Sequence, residues 1–260
     1  MPTPVFHVDA FSDHIFGGNP AAICPLDNWP GEETLQAIAA EHNLSETAYL
    51  RQVSPGRYEL RWFTPAVEVD LCGHATLAAA LIVFAELEPD LADIAFETRS
   101  GQLKVRRVGD RLAMDFPSRR PVPCEPPHEL IAGLGANPAT VLKSRDFLAV
   151  YASEDAIREL QPDFSVLKRL PSLGVIVTAP GKNVDFVSRF FAPQAGINED
   201  PVTGSAHSTL TPYWAERLGK SQLHARQIST RGGELWCSDF GDRVEIAGHA
   251  VLFSRGMIHL

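Results

Sequence analysis

The chain has 260 residues, 45% of them hydrophobic, which suits one large domain or two smaller ones with real cores. Its 23 basic and 32 acidic residues give a net charge of -9, which argues against a nucleic-acid-binding or anionic membrane surface. No apolar run reaches the ~18 residues of a membrane-spanning helix, and no signal peptide is visible, so we expect a cytoplasmic protein. The cysteines are widely spaced and form no CxxC pair, so a reduced protein without a metal site is expected.

The first half of the chain alternates short strands with two predicted helices. Strands are predicted at residues 4–10, 21–25, 45–52, 58–64, 94–98, 103–108 and 111–116. The first helix covers residues 31–42, where Leu35, Ile38 and Ala39 recur at helical spacing. The second covers Ala75–Glu86, just after a Cys-Gly-His turn, and is apolar all round. Such a helix is buried on most sides.

A proline-rich segment at residues 117–127 resembles a linker, and the chain after it repeats the strand-and-helix theme. Helices are predicted at 129–134, 154–161, 164–170 and 206–218, strands at 147–152, 174–178 and 185–191 and again after residue 218, and a loop at 198–205. We therefore predict two domains, residues 1–117 and residues 118–250.

Three blocks of sequence recur in the same order in both halves. They pair Arg61–Pro65 with Arg189–Pro193, Thr98–Leu103 with Thr230–Leu235, and Gly109–Arg111 with Gly241–Arg243. The last two share one offset, since 230 − 98 and 241 − 109 both equal 132. The repeat indicates two similar domains related by a pseudo-two-fold axis. We expect a ligand in the cleft between them, where helix starts at Gly73 and Gly204 would hold a small anion from both sides.

The acid–base residues are not preserved by the repeat. At the offset that pairs the Arg61 block with the Arg189 block, Glu46 falls on Gly174. At the helix starts, Cys72 corresponds to Thr203 and His74 to Ser205. The predicted site is therefore asymmetric, as a directed proton transfer requires.

Glu46 and His74 are the first candidates for acid–base chemistry. Glu46 shares a strand face with apolar neighbours, and a buried carboxylate has a raised pKa suited to proton transfer. The alternative is an edge-strand glutamate that faces water. His74 lies at the first or second position of an apolar helix, where the helix dipole lowers the pKa and favours a neutral imidazole. The alternative is a capping or packing histidine.

Cys72 and Asp200 have both a functional and a structural interpretation. A helix start favours a thiolate at Cys72. The second half offers Thr203 in its place, which disfavours a two-thiol racemase and favours a small buried cysteine. Asp200 is either a second carboxylate of the site or, like Thr203, a simple helix cap. The turn before Asn19 can bring backbone N–H groups to a ligand. No phosphate-loop, dinucleotide or HExxH motif is present, so nothing requires a cofactor.

Four motifs in order, FGGNP at 16–20, NLSET at 43–47, DLCGHAT at 70–76 and EDPVTGSA at 199–206, carry a family resemblance. Over essentially its full length the chain resembles the phenazine-biosynthesis PhzF-like isomerases. The resemblance implies an α+β, diaminopimelate-epimerase-like fold, in which two pseudo-symmetric domains each wrap a curved, mostly antiparallel sheet round a central helix. It also implies that the last strand, residues 251–260, completes the first domain. A homodimer without a cofactor is implied as well.

The resemblance also implies roles for individual residues. Glu46 would move a proton between carbons of the substrate, and His74 and Asp200 would assist. The expected substrate-binding residues are Asn19, Ser45, Cys72, Gly73, Gly204 and Ser205. The sequence thus predicts a cofactor-independent isomerase that moves a proton on a small carboxylate-bearing substrate. The alternatives are a Cys72-dependent racemase or hydrolase and a non-catalytic small-molecule binder.

Overall fold

The computed structural model describes residues 2–259, so Met1 and Leu260, the ends of the predicted terminal ranges, lie outside the described residues. The strands are β1 Thr3–Ala10, β2 Asn19–Pro25, β3 Glu46–Ser54, β4 Arg57–Phe63, β5 Glu68–Val69, β6 Asp93–Thr98, β7 Gly101–Val108, β8 Arg111–Pro117, β9 Val122–Pro123, β10 Thr140–Lys143, β11 Phe147–Val150, β12 Val175–Pro180, β13 Phe186–Ala192, β14 Ile197–Asp200, β15 Gln222–Gln227, β16 Gly233–Asp239, β17 Arg243–Gly248 and β18 Ala250–Ile258. The α-helices are α1 Glu32–His42, α2 Gly73–Ile82, α3 His128–Leu134, α4 Glu154–Arg158, α5 Phe164–Leu167 and α6 Gly204–Leu218.

One compact unit contains the chain up to Asp115 and again from Ala247 onward. Its sheet runs in the order β18, β1, β2, β3, β4, β6, β7, β8, and β5 forms a hairpin with β4. The β2–β3 and β4–β6 pairs are parallel and the others are antiparallel. The last strand, β18, pairs with β1, from Ala250 opposite Ala10 to Ile258 opposite Thr3.

The other compact unit, Phe116–Ile246, repeats this order of strand pairing. Its strands run β9, β10, β11, β12, β13, β15, β16, with β14 in a hairpin with β13. The parallel pairs, β11–β12 and β13–β15, occur at the positions equivalent to those of the first unit. Helix α2 packs against β1, β2 and β3 in one unit, and α6 packs against β15 and β16 in the other. The predicted fold class, two similar α+β units of mostly antiparallel sheet round a helix, is confirmed.

Helix α2 is the centre of the first unit's core. Its sequence is rich in alanine and leucine and contains no Asp, Glu, Lys or Arg, and every residue except Leu81 is buried. The burial predicted from its apolar sequence is therefore confirmed. The helix starts two residues earlier than predicted, at Gly73, and one π-helical turn, Val83–Leu87, follows it. Among residues 2–259, no helix is long and apolar enough to cross a membrane.

The predicted loop at 198–205 is confirmed only at residues 201–203. Ile197–Asp200 forms β14, which pairs with β13 so that Asp200 lies opposite Phe190, and α6 already begins at Gly204. The polar residues of this segment predict a loop, but the pairing depends on a partner strand that their local pattern does not reveal. The helices predicted at 154–161 and 164–170 end earlier, at Arg158 and Leu167.

Candidate active site

The two helix starts follow hairpins that are held by the same ion pair. In the first unit the Nε of Arg61 lies 2.7 Å from Oε1 of Glu68, and in the second the Nε of Arg189 lies 2.8 Å from Oε1 of Glu199. Each guanidinium also lies over a phenylalanine ring, with Arg61 5.2 Å from the centre of the Phe63 ring. The equivalent distance in the second unit is 5.0 Å. The repeat therefore preserves the scaffold that leads into each helix.

Glu46 and His74 meet at the start of α2. Glu46 is the first residue of β3 and His74 is the second residue of the helix. Oε2 of Glu46 lies 3.0 Å from Nε2 of His74, and only 12% and 6% of the two side chains are exposed. Glu46 is thus not a glutamate that faces water from an edge strand. A carboxylate and an imidazole in direct contact, sheltered from solvent, can hold a proton between them.

Asn19 adds a third buried polar group to this pair. It begins β2, which runs parallel to β3 with Ala21 opposite Glu46. Its Nδ2 lies 3.1 Å from Nδ1 of His74. Because a side-chain amide has both a donor and an acceptor end, it can bond to the neutral or the protonated ring after an amide flip. Asn19 therefore orients the imidazole in both protonation states.

The pKa of His74 departs from the expectation drawn from its helix position. Burial lowers this pKa, but the charge of the Glu46 carboxylate and its hydrogen bond to the ring act in the opposite direction, and the pKa lies well above the usual 6.5. The expected neutral imidazole is therefore wrong, since the carboxylate at 3.0 Å favours the charged ring. The helix dipole alone predicts a lowered pKa for His74. That prediction fails because Glu46, which raises this pKa, lies on β3, a separate and earlier element of the chain.

Cys72 lies beside this pair as the N-cap residue of α2. Its Sγ is 3.5 Å from Nδ1 of His74, but burial, with the Glu46 charge, raises the pKa of the thiol to about 11. The thiol therefore stays protonated near neutral pH. Donor atoms of Glu46, Cys72 and His74 lie within 4.8 Å of one another, a set that can ligate zinc. The absence of a metal from the working protein stays a prediction.

Asp200 lies at the end of β14, where a buried glutamine fixes it. The hydroxyl of Thr203 donates to Oδ2 of Asp200. Nε2 of Gln227 donates to the Asp200 carbonyl at 2.8 Å, and its Oε1 accepts from the Thr203 backbone N–H at 2.9 Å. Thr203 is the N-cap residue of α6, but its side chain makes no capping hydrogen bond. The simple capping interpretation therefore fails for Thr203.

Gln227 is a residue that the sequence reasoning missed. It is fully buried on β15, and no local pattern marks it. Strand pairing makes Thr98 its counterpart in the first unit, because Gln227 lies opposite Gly233 as Thr98 lies opposite Gly101. Both residues are polar, so the repeat gives no signal for Gln227. It gives one for Asp200, which faces Phe190 as Val69 faces Trp62, a polar residue in place of an apolar one.

His207 has a structural role one turn inside α6. Its Nδ1–H donates to the carbonyl of Thr203 at 2.9 Å. At the equivalent place in α2, the hydroxyl of Thr76 donates to the carbonyl of Cys72 at 2.6 Å. Burial lowers the pKa of His207 to about 4, so the ring is neutral near neutral pH. His207 therefore supports the helix start.

The remaining predicted binding residues are divided between the two units. Gly73 and Gly204 are the first residues of α2 and α6. Ser205 follows, and its Oγ lies 3.3 Å from Nη2 of Arg145. Ser45 lies half-buried just before β3. The structure thus brings Asn19, Cys72, His74 and Glu46 together in one unit, and places Asp200 and Ser205 near α6 in the other.

Comparison of the chain with known proteins identifies its family. The model of the phenazine biosynthesis-like protein family matches residues 8–256. The chain belongs to this family. An uncharacterized isomerase of Pseudomonas aeruginosa is 55% identical over 260 residues, covering both chains fully. The crystal structure of a PhzF-family phenazine biosynthesis protein from Enterococcus faecalis superimposes with a TM-score of 0.97 at 45% identity, again over both full chains.

The relatives of the chain also indicate its class of activity. A second relative, from Halalkalibacterium halodurans, is 47% identical over 266 residues with both chains fully covered, and it is also an uncharacterized isomerase. A probable proline racemase from Agrobacterium radiobacter, at 12% identity and a TM-score of 0.63, covers 99% of this chain and 93% of its own, and shares the fold alone. This member of the phenazine biosynthesis-like family is therefore an isomerase.

Proposed function

We propose that the chain is a cofactor-independent isomerase that moves a proton on a small carboxylate-bearing substrate. The observation that carries the proposal is the buried contact of 3.0 Å between Glu46 and His74. In this proposal the Glu46 carboxylate takes a proton from a carbon next to an activating group and returns it to another carbon. General acid–base groups of this kind contribute roughly 10²–10⁴-fold to a rate.

The other residues have supporting roles in this reaction. The charged His74 ring hydrogen bonds to Glu46, and Asn19 holds the ring in place. Asp200 acts on the same substrate from the second unit, so the substrate occupies a cleft between the units in this proposal. Negative charge that develops on the substrate is stabilised by backbone N–H groups at Gly73 and Gly204. We further propose that the working protein is a cytoplasmic homodimer, which light scattering tests against the 28.4 kDa mass of one chain.

A second candidate uses Cys72 as a base or nucleophile, in a racemase or a hydrolase. The distance of 3.5 Å between its Sγ and Nδ1 of His74 favours this candidate. The raised pKa of the thiol, about 11, and the threonine at the equivalent position of the repeat favour Glu46 instead. The remaining alternative, a non-catalytic binder, is not supported by a family of isomerases.

Deuterium incorporation from heavy water into dihydroaromatic acids and amino acids tests the proposal. We expect Glu46→Gln to lower the exchange rate by about 10² or more, because the amide cannot accept the proton. Glu33→Gln, an exposed carboxylate on α1, is the matched control and keeps the wild-type rate. Cys72→Ala also keeps exchange under this proposal. Wild-type exchange in Glu46→Gln with none in Cys72→Ala would establish the cysteine mechanism instead.

A further inference from the structure

A pair of arginines lies near the start of α6. Arg145 is in the turn between β10 and β11, and its Nε and Nη2 lie 3.0 and 2.9 Å from Oδ2 of Asp146. The Asp146 side chain is 2% exposed and that of Arg145 is 37% exposed. The buried carboxylate therefore fixes the orientation of a guanidinium that solvent still reaches. That guanidinium also touches the hydroxyl of Ser205, at 3.3 Å.

Arg119 brings a second positive charge to the same place. Its backbone N–H donates to the Ser208 carbonyl of α6 at 2.9 Å. Its Nη1 is buried and has no hydrogen-bond partner among residues 2–259. Burial and the charge of Arg145 lower the pKa of Arg119, and Asp146 opposes them in part. Asp146 pairs with Arg145 and acts on Arg119 only through its charge, so these three side chains together carry an excess of one positive charge in a protein of net charge -9.

The repeat places this cluster at the counterpart of the candidate active site. In the second unit Phe147 lies opposite Val175 on a parallel strand, and in the first unit Ala22 lies opposite Thr47 in the same way. Val175 and Thr47 occupy equivalent positions of the repeat, so Phe147 is equivalent to Ala22. Arg145 therefore takes the position of Pro20. The segment that supplies a polar contact to His74 in one unit supplies a cation next to Ser205 in the other.

We propose that Arg145, Arg119 and the hydroxyl of Ser205 form a subsite for a carboxylate group of the substrate, an inference that rests on the proposed function. A guanidinium presents parallel N–H groups that match both oxygens of a carboxylate, and such charge-assisted bonds are stronger than neutral ones. A bound carboxylate also supplies the negative charge that balances the second guanidinium. Arg145 is then the residue that selects anionic substrates.

Calorimetric titration of the purified protein with benzoate and with benzamide, a neutral molecule of the same shape, tests the subsite. We expect wild type to bind benzoate more tightly than benzamide. Arg145→Gln should weaken benzoate binding about tenfold or more and leave benzamide binding unchanged, because one charge-assisted bond is lost. Arg217→Gln, an exposed arginine in the last turn of α6, is the matched control and keeps wild-type affinity.

Arg145→Gln leaves the buried Asp146 without its partner, so a second variant is needed in case folding suffers. Arg145→Gln/Asp146→Asn removes both charges together and should show the same loss of benzoate binding. Equal affinity of wild type for benzoate and benzamide, or wild-type benzoate affinity in the double variant, overturns the subsite.

The outcome is separable from that of the proposed isomerase. Glu46→Gln should lose deuterium exchange and still bind benzoate as wild type does. Benzoate binding that depends on Arg145, together with exchange that does not depend on Glu46, keeps the subsite and rejects the proposed proton carrier. Deuterium exchange that depends on Glu46, together with benzoate binding that does not depend on Arg145, keeps the proposed proton carrier and rejects the subsite.

Discussion

The starts of α2 and α6 are the same scaffold carrying different chemistry. Each follows a hairpin that is tied by an arginine–glutamate pair. In each, a side chain one turn into the helix bonds to the carbonyl of the N-cap residue. The titratable groups differ: the α2 start has the Glu46–His74 pair, and the α6 start has Asp200 and a guanidinium cluster.

The contrast has a steric cause at the position of Glu46. The second unit has Gly174 there, and a Cβ on this residue would lie 2.2 Å from the Phe190 ring. A side chain at that place would require the Phe190 ring to move, so with Phe190 where it lies the second unit has no room for a counterpart of Glu46. Under the proposed function, one copy of the repeat moves the proton and the other binds and polarises the substrate.

Removing the histidine of the α2 start should have the largest effect. His74→Gln takes away the charged partner of Glu46, so we expect deuterium exchange to fall by about 10² or more. The exposed His259→Gln variant serves as control and should exchange like wild type. An exchange rate in His74→Gln close to that of wild type would show that the ring only packs.

The histidine of the α6 start should affect stability and its dependence on pH. Because the folded-state pKa of His207 is about 4 and the unfolded value is near 6.5, the unfolded state takes up a proton as pH falls between these values. The free energy of unfolding therefore falls by about 3 kcal/mol from this group between pH 6.5 and 4.

His207→Thr, which copies Thr76 of the α2 start, should lose this acid-dependent part. Urea unfolding between pH 4 and 8 measures it, with the exposed His128→Gln variant as control. An unchanged acid dependence in His207→Thr would contradict the structural role.

The glutamine that holds Asp200 should have a smaller effect on catalysis. Gln227→Ala removes the bonds to the Asp200 carbonyl and the Thr203 N–H, and each lost bond to a buried group is worth about 1–3 kcal/mol. We expect kcat to fall roughly tenfold in a variant that still folds. Gln222→Ala, exposed on the same strand, is the matched control. Wild-type kcat in folded Gln227→Ala would mean that Asp200 needs no such support.

Much of this arrangement follows from local sequence. The buried α2 is predictable because alanine and leucine occur on every face of it. The strand that contains Glu46 is predictable because apolar residues alternate along it. The parts that could not be predicted depend on residues far apart in sequence. The charge state of His74 is set by a carboxylate on a separate strand, and β14 exists because β13 pairs with it. Gln227 lies on β15 and Arg145 in the turn between β10 and β11, and no local pattern of the sequence marks either residue.

The pKa of the His74 ring, followed by NMR in wild type and Glu46→Gln, tests most directly whether these two residues form one proton-carrying pair. We expect a wild-type pKa above 6.5. We expect a lower pKa in Glu46→Gln, where burial acts without the carboxylate. A wild-type pKa below 6.5, or one that Glu46→Gln leaves unchanged, would contradict this pairing.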